Sequence, residues 1–175
     1  MVLKNCLFSL IYLMSFMSFS QKNIFDIARN GSIDEVKKLM TINPDTINKS
    51  DTNGYLPLTL ACYRGNSEVA IFLAERVADI DAGSKFGTPL MAAVFKDEYE
   101  LVATLLKYKA NPDLTDGSGT APLHYAAMKQ NDGIVKLLVE AHANINLKDN
   151  KGRTALDYAK ISDNIKIIHI LNKNK

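Results

Sequence analysis

Four short stretches of the chain repeat one pattern at a nearly constant interval: LPLTLAC at 56–62, TPLMAAV at 88–94, APLHYAA at 121–127 and TALDYAK at 154–160. Their marker leucines, Leu58, Leu90, Leu123 and Leu156, are 32, 33 and 33 residues apart. A second series, Leu39, Leu73, Leu105, Leu138 and Leu171, keeps step with the first near the ends of segments such as VATLL and VKLLV. A third is Ala78-Asp79-Ile80-Asp81, Ala110-Asn111-Pro112-Asp113 and Ala143-Asn144-Ile145-Asn146. A period of this length restricts the chain to a stack. One unit leaves an apolar face that only its neighbours can cover, so the units must pile up in a row.

Each unit reads as two helices. Pro57, Pro89 and Pro122 stand where a first helix begins, since the first turn has no use for the missing N–H and the fixed φ already suits it. Thr88 and Thr154 precede helices as N-caps, whereas the corresponding Ala121 lacks a cap worth about 1 kcal/mol. Ala61, Ala93, Ala126, Ala127 and Ala159 let helices approach closely, and the V-x-x-L-L segments give the second helix its apolar stripe. Asp51, Asp116 and Asp149, each three residues before Gly54, Gly119 or Gly152, mark the turns between units. The residues from Asp81 to Leu90 are one fewer than in the corresponding linkers, which predicts an altered turn there. Val77, Lys109 and His142 occupy one equivalent position at the end of the second helices. A β-branched Val at positive φ is costly, so the helix before Val77 is expected to end differently. Asp97, Gln130 and Asp163 stand where the second unit has Gly65.

On these motifs the chain resembles the ankyrin repeat family, with its D-x-x-G-x-T-P-L-H-x-A-A, V-x-x-L-L and G-A-D-x-N elements, over residues 23 to 171. The resemblance implies an all-α fold, a solenoid of about five helix-turn-helix units joined by short β-hairpin-like turns. The units fall at about 21–50, 51–81, 82–115, 116–148 and 149–175. The first and last act as caps, wetted by Asp34, Glu35, Lys37 and Lys38 at one end and by Lys160, Lys166 and the terminal NKNK at the other.

No residue pattern points to catalysis. The chain holds 21 basic and 19 acidic side chains, a balance unsuited to neutralising a run of phosphates, so nucleic acid is not the expected partner. His124 reads as a structural histidine at a helix start, and His142 and His169 have no second ligand at metal spacing. Cys62 occupies an alanine position between helices, where a small buried hydrophobe is expected. A hydrolytic Cys62–His124 pair is the enzymatic alternative, and it requires an exposed, acidified thiol. Asp97, Glu98 and Glu100 read as solvated charge and as complement to a helix dipole. No cofactor or metal is expected.

The surface left for function is the concave face, which the resemblance builds from turn tips and first helices. Two residues after each alanine pair give Arg29 and Asn30, Tyr63 and Arg64, Phe95 and Lys96, Met128 and Lys129, and Ile161 and Ser162. Units two to four thus repeat a large apolar residue followed by a cation. The residue before the alanine gives Leu60, Ala92, Tyr125 and Tyr158, expected to be exposed, and Tyr55 adds an aromatic near a turn tip. Aromatic side chains, Met and Arg are enriched at the centres of interfaces. The expectation is a monomeric module that binds an apolar and acidic segment of a partner protein through Tyr55, Leu60, Tyr63, Arg64, Phe95, Lys96, Tyr125, Met128, Lys129 and Tyr158. The competing reading is that these side chains cover neighbouring helix stems, with Lys and Arg snorkelling over them.

Residues 1–20 differ from the rest. They carry one charge, Lys4, then an apolar stretch from Cys6 to Phe19 broken only by serines, ending in Ser18-Phe19-Ser20. Small residues at both positions suit a signal peptidase, so cleavage after Ser20 is expected, with an uncleaved anchor as the alternative. The resulting location is periplasmic or secreted, in a bacterium. An accessory or protective factor for an envelope enzyme, or an effector acting on a host protein, would read the same. Loss of Cys6 would leave Cys62 alone, without a disulfide partner.

Overall fold

A computed structural model describes residues 22–84 and 87–173; residues 1–21, with the expected signal segment and its cleavage point, and Lys85, Phe86, Asn174 and Lys175 lie outside the described residues. Ten α-helices run through those residues in five antiparallel pairs. They are α1 (Ile24–Asn30) and α2 (Ile33–Ile42), α3 (Pro57–Arg64) and α4 (Ser67–Ala74), α5 (Pro89–Phe95) and α6 (Tyr99–Lys107), α7 (Pro122–Met128) and α8 (Asp132–Glu140), α9 (Ala155–Ile161) and α10 (Ile165–Lys173). A 3₁₀ turn, Pro44–Asn48, follows α2. The odd-numbered helices stack on one another as an inner row and the even-numbered ones as an outer row. No strand forms among the described residues, and no helix there is long and apolar enough to cross a membrane.

The inner row packs closely because its contact residues are small. Ala61, Ala93, Ala126, Ala127 and Ala159 are all fully buried. Val36, Leu73, Leu105, Leu138 and Leu171 bring the outer stripe onto the same continuous core. The proline helix starts and both threonine caps stand where expected: Thr88 accepts the Met91 N–H, and Thr154 forms a reciprocal capping box with Asp157.

At Ala121 a different device replaces the missing hydroxyl. His124 turns back so that its Nδ1 accepts the Ala121 N–H at 3.1 Å. That acceptance places the ring proton on Nε2, which is shared between the carbonyls of Leu147 (3.0 Å) and Arg153 (3.1 Å) in the next unit. A single buried side chain therefore caps one helix and holds the following hairpin, and every ring nitrogen is satisfied.

The three linkers with the Asp-x-x-Gly pattern share one geometry. Each aspartate donates its backbone N–H to the carbonyl four residues ahead, its Oδ1 accepts two N–H groups, and the glycine sits at positive φ (81° at Gly54, 71° at Gly119, 73° at Gly152). This is the three-residue hairpin with a left-handed glycine. The short linker differs as its length predicts: Ser84 and Gly87 exchange both bonds across two residues, the one bridge among the described residues.

Helix ends divide in the same way. Lys109 and His142 take φ of 71° and 63°, and the next N–H reaches back to Leu105 and Leu138 respectively, closing a Schellman-type end. Val77 avoids positive φ, and its own N–H returns to the Leu73 carbonyl instead. Asp97, Gln130 and Asp163 adopt φ of 59°, 58° and 55° in the place of Gly65, so the backbone shape is held at those positions without glycine.

Units are also stitched along their edge. Asn48 Oδ1 accepts the Ala78 N–H at 2.9 Å, Asp81 the Asn111 N–H at 2.9 Å, and Asp113 the Asn144 N–H at 2.7 Å.

Candidate functional site

The inner helices and hairpin tips of the first four units enclose a groove of about 560 Å³, lined by Arg29, Asn53, Tyr55, Leu60, Tyr63, Arg64, Met91, Phe95 and Tyr125. Each wall has a local cause. Tyr63 and Arg64 are the last turn of α3, and Phe95 is the last residue of α5, so both rings project from helix ends where the chain turns outward. Tyr55 and Asn53 come from the first hairpin, whose shape Asp51 fixes by accepting both their N–H groups. Asp51 in turn accepts from Arg29 at 3.4 Å, which ties the first unit to the second across the end of the groove.

The far wall is Tyr125. Its ring meets Phe95 edge-on, with centroids 6.0 Å apart and planes at 86°. Its hydroxyl donates to Asp116 Oδ2 at 2.6 Å, and burial together with that carboxylate pushes the phenol well above its ordinary range, so it stays a donor. Tyr158 repeats the arrangement one unit on, donating to Asp149. There the Arg153 guanidinium lies 4.5 Å above the Tyr158 ring and His124 meets it edge-on. The Tyr158 hydroxyl, followed by the Arg153 and Lys151 N–H groups, holds the Asp149 carboxyl down at about 2.

The groove opens where this tyrosine column stops. In the second and third units the tyrosine position is Leu60 and Ala92. Neither is exposed as expected: Leu60 is 6% and Ala92 1% accessible, because short side chains there are roofed by their neighbours. Leu60 still faces the groove, as part of its floor.

Of the sequence candidates, Tyr55, Leu60, Tyr63, Arg64, Phe95 and Tyr125 come together in this groove. Lys96 flanks it next to Phe95. Met128, Lys129 and Tyr158 do not line it. Lys129 is drawn to Asp97 (3.6 Å) and over the Phe95 ring (5.3 Å), and Tyr158 is held in its own hairpin network. Met128 and Ile161 continue the exposed column beyond the groove. Met91 and Asn53 were not among the candidates. Met91 occupies the position of Thr59 and His124, whose side chains reach into the next hairpin, and Asn53 is a tip residue without any pattern of its own.

Cys62 is fully buried, and burial pushes its thiol far above the ordinary range. His124 is occupied by three backbone groups. Such a pair has neither an accessible sulfur nor a free base. No group of three or more His, Cys, Asp or Glu side chains gathers in a metal-ligating cluster among the described residues.

A family model described as ankyrin repeats (three copies) matches residues 24–116 and 101–175. Among curated proteins, the chain is similar to the human BCL-6 corepressor-like protein 1, 34% identical over 93 residues, which are 53% of this chain and 5% of that protein. It is likewise similar to the E3 ubiquitin-protein ligase XBAT33 of Arabidopsis thaliana, 34% identical over 112 residues, 62% of this chain and 22% of the ligase. Human ankyrin repeat and KH domain-containing protein 1 is 47% identical over 68 residues, 39% of this chain and 3% of that protein. The chain thus spans a small fraction of each relative's length.

Proposed function

The chain belongs to the ankyrin-repeat family, and from that premise we propose that it is a non-catalytic, monomeric protein-binding module that receives a segment of a partner protein in its concave groove. The observation that carries this is the groove itself, an apolar, ring-lined cleft running across four units and held open by the molecule's own hydrogen bonds. A preformed cleft loses little conformational entropy on contact. The buried Cys62 and the fully engaged His124 support a role without covalent chemistry.

The same proposal places the protein outside the cytoplasm, periplasmic or secreted, after removal of residues 1–20; its support is the composition of that leader. An envelope enzyme in need of an accessory factor, or a host protein met by an effector, are the two kinds of partner such a location offers.

The test is crosslinked capture from the producing cell's envelope and medium, with the native chain beside a Tyr63→Ala, Phe95→Ala variant of equal helicity. A protein captured by the first and lost by the second supports the groove. Identical capture by both refutes it. Mass spectrometry of the purified protein reads the leader: a mature N-terminus at Gln21 is expected, and an intact residue 1 in the native host defeats cleavage after Ser20 and favours the uncleaved anchor.

A further inference from the structure

Four cations stand on or beside the groove, and they are not equivalent. Arg29 is held between Asp26 (3.3 Å) and Asp51 (3.4 Å). Lys129 is committed to Asp97 and to the face of Phe95. Arg64 and Lys96, by contrast, form no ion pair with any described residue. Arg64 is the last residue of α3 and Lys96 immediately follows α5, so each comes directly after a groove ring, Tyr63 and Phe95. The two helix ends approach one another: a Cβ placed on Gly65 would lie 4.0 Å from Lys96 Cε. Glu98 lies on the same side, 3.7 Å from that point, and pairs with neither cation.

Beside these cations the wall is aromatic. Phe95 and Tyr125 are set edge to face, with centroids 6.0 Å apart, an arrangement that a third ring can extend. Met91 and Leu60 provide an apolar floor. We infer that the groove's occupant is an extended segment of a partner protein in which an aromatic side chain lies close to a carboxylate. The ring seats against Leu60, Met91 and Tyr125, and the carboxylate is met by Arg64 and Lys96. A guanidinium fork beside an ammonium suits a carboxylate and repels a basic segment. This rests on the groove being the docking site proposed above, and adds the chemistry of what it accepts.

The experiment is selection of a phage-displayed random dodecapeptide library on the immobilised full chain. Arg64→Glu with Lys96→Glu, and separately Leu60→Tyr, serve as counter-targets after both are shown to keep native helicity. Enriched peptides are expected to carry Phe, Tyr or Trp near Asp or Glu, to lose roughly tenfold or more in affinity on the charge-reversed chain, to weaken with added salt, and to be lost on Leu60→Tyr. Peptides lost on Leu60→Tyr but held equally by the charge-reversed chain, or lacking aromatic residues, overturn the inference and leave the groove standing. Peptides held equally by Leu60→Tyr overturn the groove itself. A selection that enriches nothing overturns both, since a preformed cleft for a linear segment selects from such a library.

Discussion

The two halves of the inner face obey the same repeat and differ in what they do with it. In the fourth and fifth units Tyr125 and Tyr158 each close onto an aspartate nine residues earlier, and His124 and Asn150 bond across to the neighbouring hairpin. In the second and third units Leu60 and Ala92 stand in place of those tyrosines, the third hairpin is one residue short, and Asp51 is turned to Arg29 instead. In the first arrangement the tyrosine hydroxyls and both ring nitrogens of His124 find partners within the protein; the second leaves an aromatic-walled cleft. In this molecule the departures from the repeat, rather than the repeat, locate the cleft.

The largest expected effect tests whether the closed half is held as described. His124→Ala strands the Ala121 N–H and two carbonyls in a buried setting, and should cost about 3 kcal/mol in urea unfolding; a loss below about 1 kcal/mol would mean that water replaces the ring without penalty. Leu60→Tyr attempts to turn the open half into the closed one by restoring the tyrosine nine residues after Asp51. Partner or peptide affinity should fall roughly tenfold or more while the larger ring costs about 1–3 kcal/mol of stability without unfolding the chain, and unchanged affinity would break the comparison.

Next comes Tyr158→Phe, which removes the hydroxyl that does most to lower the Asp149 carboxyl. Because the folded value lies below the unfolded one of about 4, Asp149 contributes stability that is complete above that value and is lost as pH falls toward about 2. The variant should therefore be less stable than the native chain at neutral pH and show a smaller further loss between pH 4 and 2. A pH profile parallel to that of the native chain would contradict the assignment. Smallest is Lys109→Gly, at a φ of 71°, which should gain about 0.5–1 kcal/mol. Val77→Gly, where φ is not positive, should gain nothing. Equal thermal shifts in the two would show that backbone conformation is not what separates these helix ends.

Much of this was legible in the sequence because it is written in residues with a strong local preference. The prolines fix helix starts, Thr88 and Thr154 fix caps, the Asp-x-x-Gly pattern fixes three hairpins, and Val77 against Lys109 and His142 fixes which helix end is the exception. The candidate site was legible in part. Periodicity states which residues are equivalent, and so aligned Tyr63 with Phe95, Arg64 with Lys96 and Tyr125 with Leu60 on one face. Periodicity is silent on what covers an equivalent position. Leu60 and Ala92 are roofed because they are short where Tyr125 is long. Lys129 leaves the groove because Asp97, one unit earlier, lies within reach. Those outcomes depend on pairs of side chains from different units, and no single-unit pattern contains them.

The edge stitching has a consequence for how such a molecule can vary. From acceptor to donor the three bonds span 30, 30 and 31 residues, yet the donor–acceptor distances stay between 2.7 and 2.9 Å. The missing hairpin residue before Leu90 and the altered helix end at Val77 are both absorbed inside the loops, which behave as expansion joints in a wall whose courses remain level. Insertions and deletions at the tips can therefore redraw the rim of the cleft, where Asn53 and Tyr55 stand, without disturbing the spacing of the stack. Recognition and framework are thereby free to change on separate schedules.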